Sequence, residues 1–94
     1  MIVDGFDWQT AKYAVEYGPG TGAATPMIMQ AVQPGAKFFA VERNPDFCQL
    51  LRKKFPSLDL AEDSAVNIVE LCKQREIPHL DAVVSGLPWA SFPE

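Results

Sequence analysis

The sequence contains few of the residues that metal sites and nucleophilic sites most often use. Its two cysteines, Cys48 and Cys72, and its single histidine, His79, are far apart and show no CxxC or Cys-His spacing. Isolated residues of these types are typical of packing positions. We therefore predict no metal site, two reduced cysteines in the interior, and a loop or packing role for the histidine.

An excess of positive charge and long apolar segments are absent as well. Eight Lys and Arg residues stand against 12 Asp and Glu residues, a net charge of −4, whereas nucleic-acid binding needs clustered basic residues. No run approaches the roughly 18 apolar residues of a membrane span, and the first residues lack the basic and apolar regions of a signal peptide. The composition therefore favours a globular cytoplasmic protein and offers no evidence for a nucleic-acid partner.

What is present is a regular alternation of predicted strands and helices. Residues 1–11 show no clear period and are interpreted as a lead-in that packs by Ile2, Phe6 and Trp8, whereas residues 12–94 form one domain. Short apolar runs predict buried strands at 12–17, 37–42, 58–61 and 80–84. Strands that are apolar on both faces, with helices between them, indicate a parallel sheet covered by helices. We expect an α/β, Rossmann-like three-layer α-β-α domain with strand order 3-2-1-4.

The three predicted helices have recognisable starts. Thr25 and Asn44 each precede a proline and are expected to be N-caps, and Asp63 or Ser64 is expected to cap the third helix. The apolar residues that define helix faces are Met27, Ile28, Ala31 and Val32, then Phe47, Leu50, Leu51 and Phe55, then a buried stripe of Ala65, Ile68, Val69 and Cys72. Arg52, Lys53 and Lys54 are expected to face water.

The strongest functional signal is the segment EYGPGTG at residues 16–22, between the first strand and the first helix. Gly18, Gly20 and Gly22 allow positive φ and let a ligand approach the backbone closely, although a tight turn without a ligand would need glycines too. The next helix offers unpaired N–H groups and a partial positive charge. Glu42, at the end of the second strand, is placed to bind both hydroxyls of a ribose.

Two nucleotide cofactors fit these features. Gly18, Gly20 and Ala23 satisfy the G-x-G-x-x-A pattern of NAD-binding proteins. Glu16 favours S-adenosylmethionine (SAM) instead, because a carboxylate beside the loop would repel a pyrophosphate but suits a ligand with an ammonium and a sulfonium group. A phosphate-binding P-loop does not fit, since no Lys follows the glycines.

Two further polar segments follow the third and fourth strands. In AEDSA, residues 61–65, the Asp63 carboxylate can accept from the exocyclic amine of adenine while the backbone N–H of Ser64 meets a ring nitrogen. A helix cap also explains Asp63. In SGLPW, residues 85–89, Ser85 and Trp89 suit a loop that faces a substrate. Alternatively, the glycine and proline only end the strand and Trp89 packs on the core.

Together, these segments resemble the motifs of class I SAM-dependent methyltransferases, and the likeness runs from about Lys12 to Pro93. The sequence is similar in particular to bacterial phospholipid N-methyltransferases and to the rRNA adenine dimethyltransferases. VEYGPGTGAAT resembles the glycine motif of the family, VERNPDF its acidic motif, AEDSA its adenine-contacting segment, and SGLPW the motif that meets methyl donor and acceptor. The resemblance implies SAM as cofactor, bound by Glu16, Gly18, Gly20, Gly22, Glu42, Asp63 and Ser64, with Ser85 and Trp89 on the acceptor side.

The first residue of the last motif bears on the acceptor. In the adenine dimethyltransferases this motif begins with Asn, whereas here it begins with Ser85. The difference favours the phospholipid type or a related small-molecule type, so the acceptor that the resemblance implies is an amine such as a phospholipid headgroup. A lipid acceptor would place the protein in the cytoplasm at the periphery of the membrane.

The sequence departs from the family in its length. Family members continue with further strands and helices after SGLPW, whereas this sequence stops at Glu94. We expect the N-terminal half of the fold, and methyl transfer if missing elements or a partner complete it. The fourth strand would be an open edge with an apolar flank, which predicts a homodimer or other self-association there. The alternatives are a catalytically inactive, self-associating Rossmann-like module and, third, an NAD-binding module.

Overall fold

Strands and helices alternate along the chain as the pattern predicts. The structure is a computed structural model that describes residues 2–3 and 7–85. The strands are β1 (Ile2–Val3), β2 (Tyr13–Tyr17), β3 (Lys37–Glu42), β4 (Asp59–Glu62) and β5 (Ala82–Ser85). The helices are α1 (Thr25–Ala31), α2 (Pro45–Lys54) and α3 (Ile68–Gln74), the last preceded by a 3₁₀ turn at Ala65–Asn67. From β2 onward the chain therefore follows the predicted order, and no strand end differs from its predicted position by more than two residues.

The described strands form one sheet in the order β1-β5-β2-β3-β4. The pairs β2–β3, β3–β4 and β2–β5 are parallel, with Val15 opposite Phe39 in the first of them. Without β1, the order is the predicted 3-2-1-4. In such a sheet the carboxyl ends of all four parallel strands lie at one edge, and that edge carries the site.

The helices lie on both faces of the sheet. The chain moves in one direction from β2 through β3 to β4 and then returns to β5, so right-handed crossovers put α1 and α2 on one face and α3 on the other. Val15, Phe39 and Leu71 of α3 are buried together on the α3 face. Glu16, the next residue after Val15, faces α1, because successive strand residues point to opposite faces.

The edge of the sheet beside β5 differs from the prediction. β1 pairs with it antiparallel, with Ile2 opposite Ser85 and Val3 opposite Val84. The expectation of an open edge at this strand is therefore wrong where β1 lies. The side chain of Val83, on the flank of β5, is 40% exposed. The lead-in thus supplies a strand that its lack of periodicity did not predict, and Trp8 packs against Ala11, Ala14 and Ala82 as expected.

Two local predictions about the helices are wrong. Thr25 is not the N-cap of α1, because that position is Ala24, which makes no side-chain cap bond. Val69 and Ala65 are exposed rather than buried, because the 3₁₀ turn shifts the phase of the third helix and brings Leu71 to the core. The cap of α2 is confirmed, since the Asn44 side chain accepts from the N–H groups of Asp46 and Phe47. Phe47 and Leu50 on the same helix are each more than a third exposed.

The two cysteines and the histidine meet the expectations from composition in part. Neither Cys48 nor Cys72 is in a disulfide; Cys48 is buried as predicted, whereas Cys72 is only half-buried, and burial raises the pKa of both thiols. His79 lies edge to face with Tyr13, with ring centres 5.1 Å apart, and its Nε2 is 3.1 Å from Oδ1 of Asp81. None of the described helices has the length and apolar character that crossing a bilayer requires.

Candidate cofactor site

The predicted functional residues meet at the carboxyl edge of the sheet. Glu16 is the penultimate residue of β2, Glu42 ends β3, Asp63 follows β4 directly, and Ser85 ends β5. Parallel strands bring their carboxyl ends together, which is why segments up to 69 residues apart in sequence become neighbours. Trp89 lies outside the described residues.

The loop between β2 and α1, residues 18–24, depends on glycine at several positions and is here called the glycine loop. Gly18, Gly20 and Gly22 have φ values of 60°, 60° and 84°, which other residues adopt only with strain. A Cβ on Gly22 would lie 2.7 Å from Cε2 of Phe55 and 3.0 Å from a methyl of Leu51, whereas a Cβ on Gly20 would meet no atom within 4 Å. Gly22 is therefore required for packing against α2, and Gly20 leaves the loop open on its outer side.

Glu42 connects the glycine loop to the start of α2. Its side chain is only 7% exposed. Oε1 accepts from the N–H of Gly20 at 2.9 Å, and Oε2 accepts from the N–H of Asn44 at 3.0 Å. The Cys48 thiol donates to the backbone carbonyl of Glu42 at 3.3 Å. The carboxylate is thus held rigidly at the end of β3, and its remaining lone pairs are available to other donors.

Glu16 is the most unusual group at this edge because its carboxyl is completely buried. Oε1 accepts from the Thr25 hydroxyl at 2.7 Å, while Oε2 has no hydrogen-bond partner among the described residues. Burial raises the pKa of Glu16, the Thr25 hydrogen bond opposes that change, and the nearby charge of Glu42 adds to it. A buried acceptor without a donor is costly. Positive charge on a ligand near Glu16 would therefore lower the cost of burying this carboxylate.

Asp63 and Ser64 form a compact turn at the end of β4. The Asp63 N–H donates to the carbonyl of Glu42 at 3.1 Å, which fixes the turn beside β3. Asp63 Oδ1 accepts from Nδ2 of Asn67 at 2.7 Å and from the N–H of Ser64 at 2.6 Å, and these bonds lower the pKa of Asp63. Ser64 is the cap of the 3₁₀ turn through its hydroxyl. The Ser64 N–H that the sequence assigned to an adenine ring is therefore engaged within the turn.

Ser85 lies beside the glycine loop in the sheet. It pairs with Tyr17 across β2 and β5 and is 7% exposed. It lies at the carboxyl end of β5, and ligands of open α/β sheets bind outside these strand ends. The acceptor-side role of Ser85 stays a prediction.

Two residues of the site were not singled out from the sequence for any role at the ligand. Thr25 was interpreted as a cap, and only its nearness to Glu16 in the fold shows that its hydroxyl serves that carboxyl instead. Lys54 is exposed as expected, and its Nζ also donates to the carbonyl of Thr21 in the glycine loop at 2.7 Å. The helical pattern of α2 contains no signal for this contact, because it depends on how the loop lies against the helix.

This arrangement defines a class of protein. A glycine loop after the first parallel strand, an acidic residue after the second and a polar turn after the third are the features of Rossmann-like domains that bind a nucleotide cofactor. Within the described residues, no group of three or more His, Cys, Asp or Glu side chains is arranged to hold a metal ion.

Comparison with known proteins identifies the family. The chain is 40% identical over 90 residues to the ornithine lipid N-methyltransferase of Singulisphaera acidiphila, covering 93% of this chain and 47% of that protein. It is 30% identical over 88 residues to the mitochondrial ribosomal RNA small subunit methyltransferase of Arabidopsis thaliana, covering 94% of the chain and 22% of that protein. It is 32% identical over 75 residues to the dimethyladenosine transferase of Chaetomium thermophilum, covering 80% of the chain and 19% of that protein.

With this fold and these relatives, the chain belongs to the class I SAM-dependent methyltransferases. No family model matches the sequence. The chain spans about half the length of the first of these relatives and about a fifth of the other two. The fold of the chain agrees with the N-terminal half of a class I methyltransferase that the motifs predicted.

Proposed function

We propose that the chain binds SAM at the carboxyl edge of the sheet and forms the cofactor half of a methyltransferase that acts on an amine. The observation that carries the proposal is the pair of buried carboxyls on either side of the glycine loop. Glu16 has an oxygen without a partner, and Glu42 is held at the end of β3. Two acidic groups in this position favour a ligand with positive charge and ribose hydroxyls over a dinucleotide with a pyrophosphate.

Each part of the cofactor has a proposed partner in this chain. Gly18, Gly20 and Gly22 would contact the methionine part, and the open side of Gly20 leaves room for that approach. Glu42 would accept from the ribose hydroxyls with lone pairs that its two backbone donors leave available. Glu16, which is completely buried, would attract the ammonium group by its charge from beneath the glycine loop rather than by direct contact.

The adenine would lie beside the turn at Asp63 and Ser64. Asp63 would accept from the exocyclic amine. A contact between the Ser64 N–H and a ring nitrogen requires that this N–H leave Oδ1 of Asp63, where it donates at 2.6 Å. The adenine end of the site would therefore rearrange on binding, unlike the buried Glu16 and Glu42.

The acceptor that we propose is an amine such as a lipid headgroup. The relative with 40% identity is named for its action on ornithine lipid. SAM supplies an electrophilic methyl group on its sulfonium sulfur, so the protein has mainly to position the acceptor and exclude water. Ser85, buried at the end of β5, and Trp89 would border the acceptor, and a lipid acceptor would place the reaction in the cytoplasm at the membrane surface.

Two other functions are distinguishable from this one. A catalytically inactive module would fold, and could associate with itself, without measurable transfer of a methyl group. An NAD-binding module would prefer NADH to S-adenosylhomocysteine. The chain spans about half the length of the ornithine lipid N-methyltransferase, so we propose that methyl transfer depends on further elements, in a longer polypeptide or in a partner.

Isothermal titration tests the cofactor assignment. SAM and S-adenosylhomocysteine are titrated into the wild-type chain, Glu42→Ala and Glu62→Ala; NADH is titrated into the wild type. Glu62 is the matched control because it also ends a strand, β4, but is exposed, and its carboxylate pairs with Arg52 at the surface. We expect micromolar SAM binding that Glu42→Ala abolishes and Glu62→Ala retains. Binding of NADH but not SAM, or no binding of either at millimolar concentration, would refute the assignment.

Glu42 could affect SAM binding by contacting the ribose or by supporting the glycine loop, and a second pair of ligands distinguishes these two roles. Adenosine and 2′-deoxyadenosine are compared in the wild type and in Glu42→Gln. If Glu42 accepts from the 2′-hydroxyl, the wild type prefers adenosine and the variant loses most of that preference. An equal preference in both proteins would restrict Glu42 to a role in the loop.

A further inference from the structure

The glycine loop is held from outside by the last turn of α2. Lys54 is the final residue of that helix, and its Nζ donates to the carbonyl of Thr21 at 2.7 Å. The same ammonium lies 5.7 Å from the centre of the Phe55 ring, over its face. Lys54 thus spans from the end of one helix to a backbone carbonyl that lies 33 positions earlier in the chain.

The carbonyl of Thr21 belongs to the same planar peptide unit as the N–H of Gly22. That N–H donates to the carbonyl of Pro19 at 2.9 Å. The peptide plane between Thr21 and Gly22 is therefore fixed at both ends, by Lys54 on the oxygen and by Pro19 on the nitrogen. Loss of either contact would allow the plane to rotate.

Packing limits the loop on the same side. Gly22 touches the Phe55 ring so closely that a Cβ would lie 2.7 Å from it. Two residues earlier in the loop, the N–H of Gly20 is held by Glu42, which precedes α2. The segment from Glu42 to Phe55 consequently holds the glycine loop at three successive residues, by the N–H of Gly20, the carbonyl of Thr21 and the packing of Gly22. The outer side of Gly20 stays open.

We propose that Lys54 is a positioning residue for the part of the glycine loop that contacts the methionine moiety of SAM. This inference rests on the proposed function. Lys54 touches no reacting atom in it; it acts through the peptide plane of Thr21 and Gly22. The sequence places Lys54 in a basic run that faces water, so the role follows only from the contact with Thr21.

The test uses three variants of the full chain. Lys54→Met keeps the length and apolar stem but removes the donor, Lys54→Arg keeps a donor, and Lys53→Met is the control. Lys53 precedes Lys54 on α2 and is exposed, and its side chain makes no hydrogen bond with any residue that the structure describes. For each protein, dissociation constants are measured for SAM and for adenosine, which lacks the methionine part, together with the midpoint of urea unfolding.

We expect Lys54→Met to weaken SAM binding about fivefold, as for loss of one hydrogen bond of a charged donor at an exposed site. Adenosine binding should not change, the urea midpoint should fall only slightly because the lost contact is exposed, and Lys54→Arg and Lys53→Met should bind SAM like the wild type. Equal SAM binding in all four proteins would overturn the proposal. So would parallel weakening of SAM and adenosine, or a loss in Lys54→Arg as large as in Lys54→Met, because either result indicates general destabilisation.

A measurement without SAM keeps this inference separate from the proposed function. Hydrogen exchange of the Gly20 and Gly22 amides is followed by NMR in the same proteins. If the wild type fails to bind SAM, the cofactor assignment fails, but faster exchange of these two amides in Lys54→Met alone would still show that Lys54 positions the loop. Unchanged exchange would overturn the positioning role as well.

Discussion

The Thr25 hydroxyl donates a 2.7 Å hydrogen bond to Oε1 of Glu16, and both side chains are completely buried. This bond joins the end of β2 to the first residue of α1, across the start of the glycine loop. It is the one donor that the described residues give the Glu16 carboxyl, whose other oxygen has none.

Replacing Thr25 by Val removes this donor at almost constant volume. Glu16 would then be buried with both oxygens unpartnered, so we expect Thr25→Val to lower the free energy of unfolding by about 1–3 kcal/mol. The measurement is urea unfolding followed by circular dichroism. Thr10→Val is the control, since the Thr10 hydroxyl makes only an exposed contact of 3.2 Å with the carbonyl of Asp7. Similar losses in the two variants would show that the Glu16 contact contributes little.

The raised pKa of Glu16 predicts how stability depends on pH. The Glu16 carboxyl holds its proton more tightly in the folded protein than in the unfolded chain, where its pKa is close to 4.5. Wild-type stability therefore falls as pH rises from 4.5 to the raised folded-state pKa, and Glu16→Gln lacks this contribution. We expect the stability of the variant relative to wild type to increase over that range. Asp63 and Asp81, whose pKa values are lowered, act in the opposite direction in both proteins and cancel in the difference.

Unfolding curves at a series of pH values test this prediction. Parallel stability profiles for wild type and Glu16→Gln would contradict it. Protonation of Glu16 should also affect binding of the proposed cofactor, because a cationic ligand is attracted by the ionised carboxylate and not by the neutral acid. SAM should thus bind the wild type more tightly as pH rises, and titration in buffers of different ionisation enthalpy should detect a released proton.

Gly22 and Gly35 provide a matched pair for the packing of the glycine loop. Their φ values are 84° and 88°, so Ala costs about 1–2 kcal/mol of backbone strain at either. Only Gly22 has neighbours, because a Cβ on Gly35 would meet no atom within 4 Å. We expect Gly22→Ala to be the more destabilising of the two and to weaken SAM binding, while Gly35→Ala binds SAM like the wild type. Equal losses of stability would mean that Phe55 moves aside without cost.

Self-association through β5 remains a prediction, and the structure changes its physical basis. β1 pairs with residues 84 and 85, while Val83 on the flank stays 40% exposed. Association should therefore depend on the apolar flank, and Val83→Lys should reduce it. Sedimentation equilibrium across a range of concentrations measures this. A monomer at high concentration in the wild type, or a dimer that Val83→Lys leaves intact, would contradict the prediction.

Much of the fold was predictable because local patterns and the sheet agree. Short apolar runs separated by glycine and proline mark β2 to β5, and right-handed crossovers leave few topologies for them. The cap at Asn44 followed from a local rule and is confirmed. The errors are also local: Thr25 is a capping residue type that the fold uses for Glu16, and a 3₁₀ turn moved Val69 out of the core.

The sequence by itself determined the strand order, the edge of the sheet at which the acidic residues meet, and the family, because these depend on residue types at fixed positions within repeating elements. Only the tertiary structure decided that β1 covers β5, that Thr25 serves Glu16, and that Lys54 holds the carbonyl of Thr21. Each of these contacts joins segments whose separation follows no local period. Which residues meet in these contacts depends on how the strands, helices and loops pack in three dimensions. No pattern within either segment encodes which distant residue it will contact.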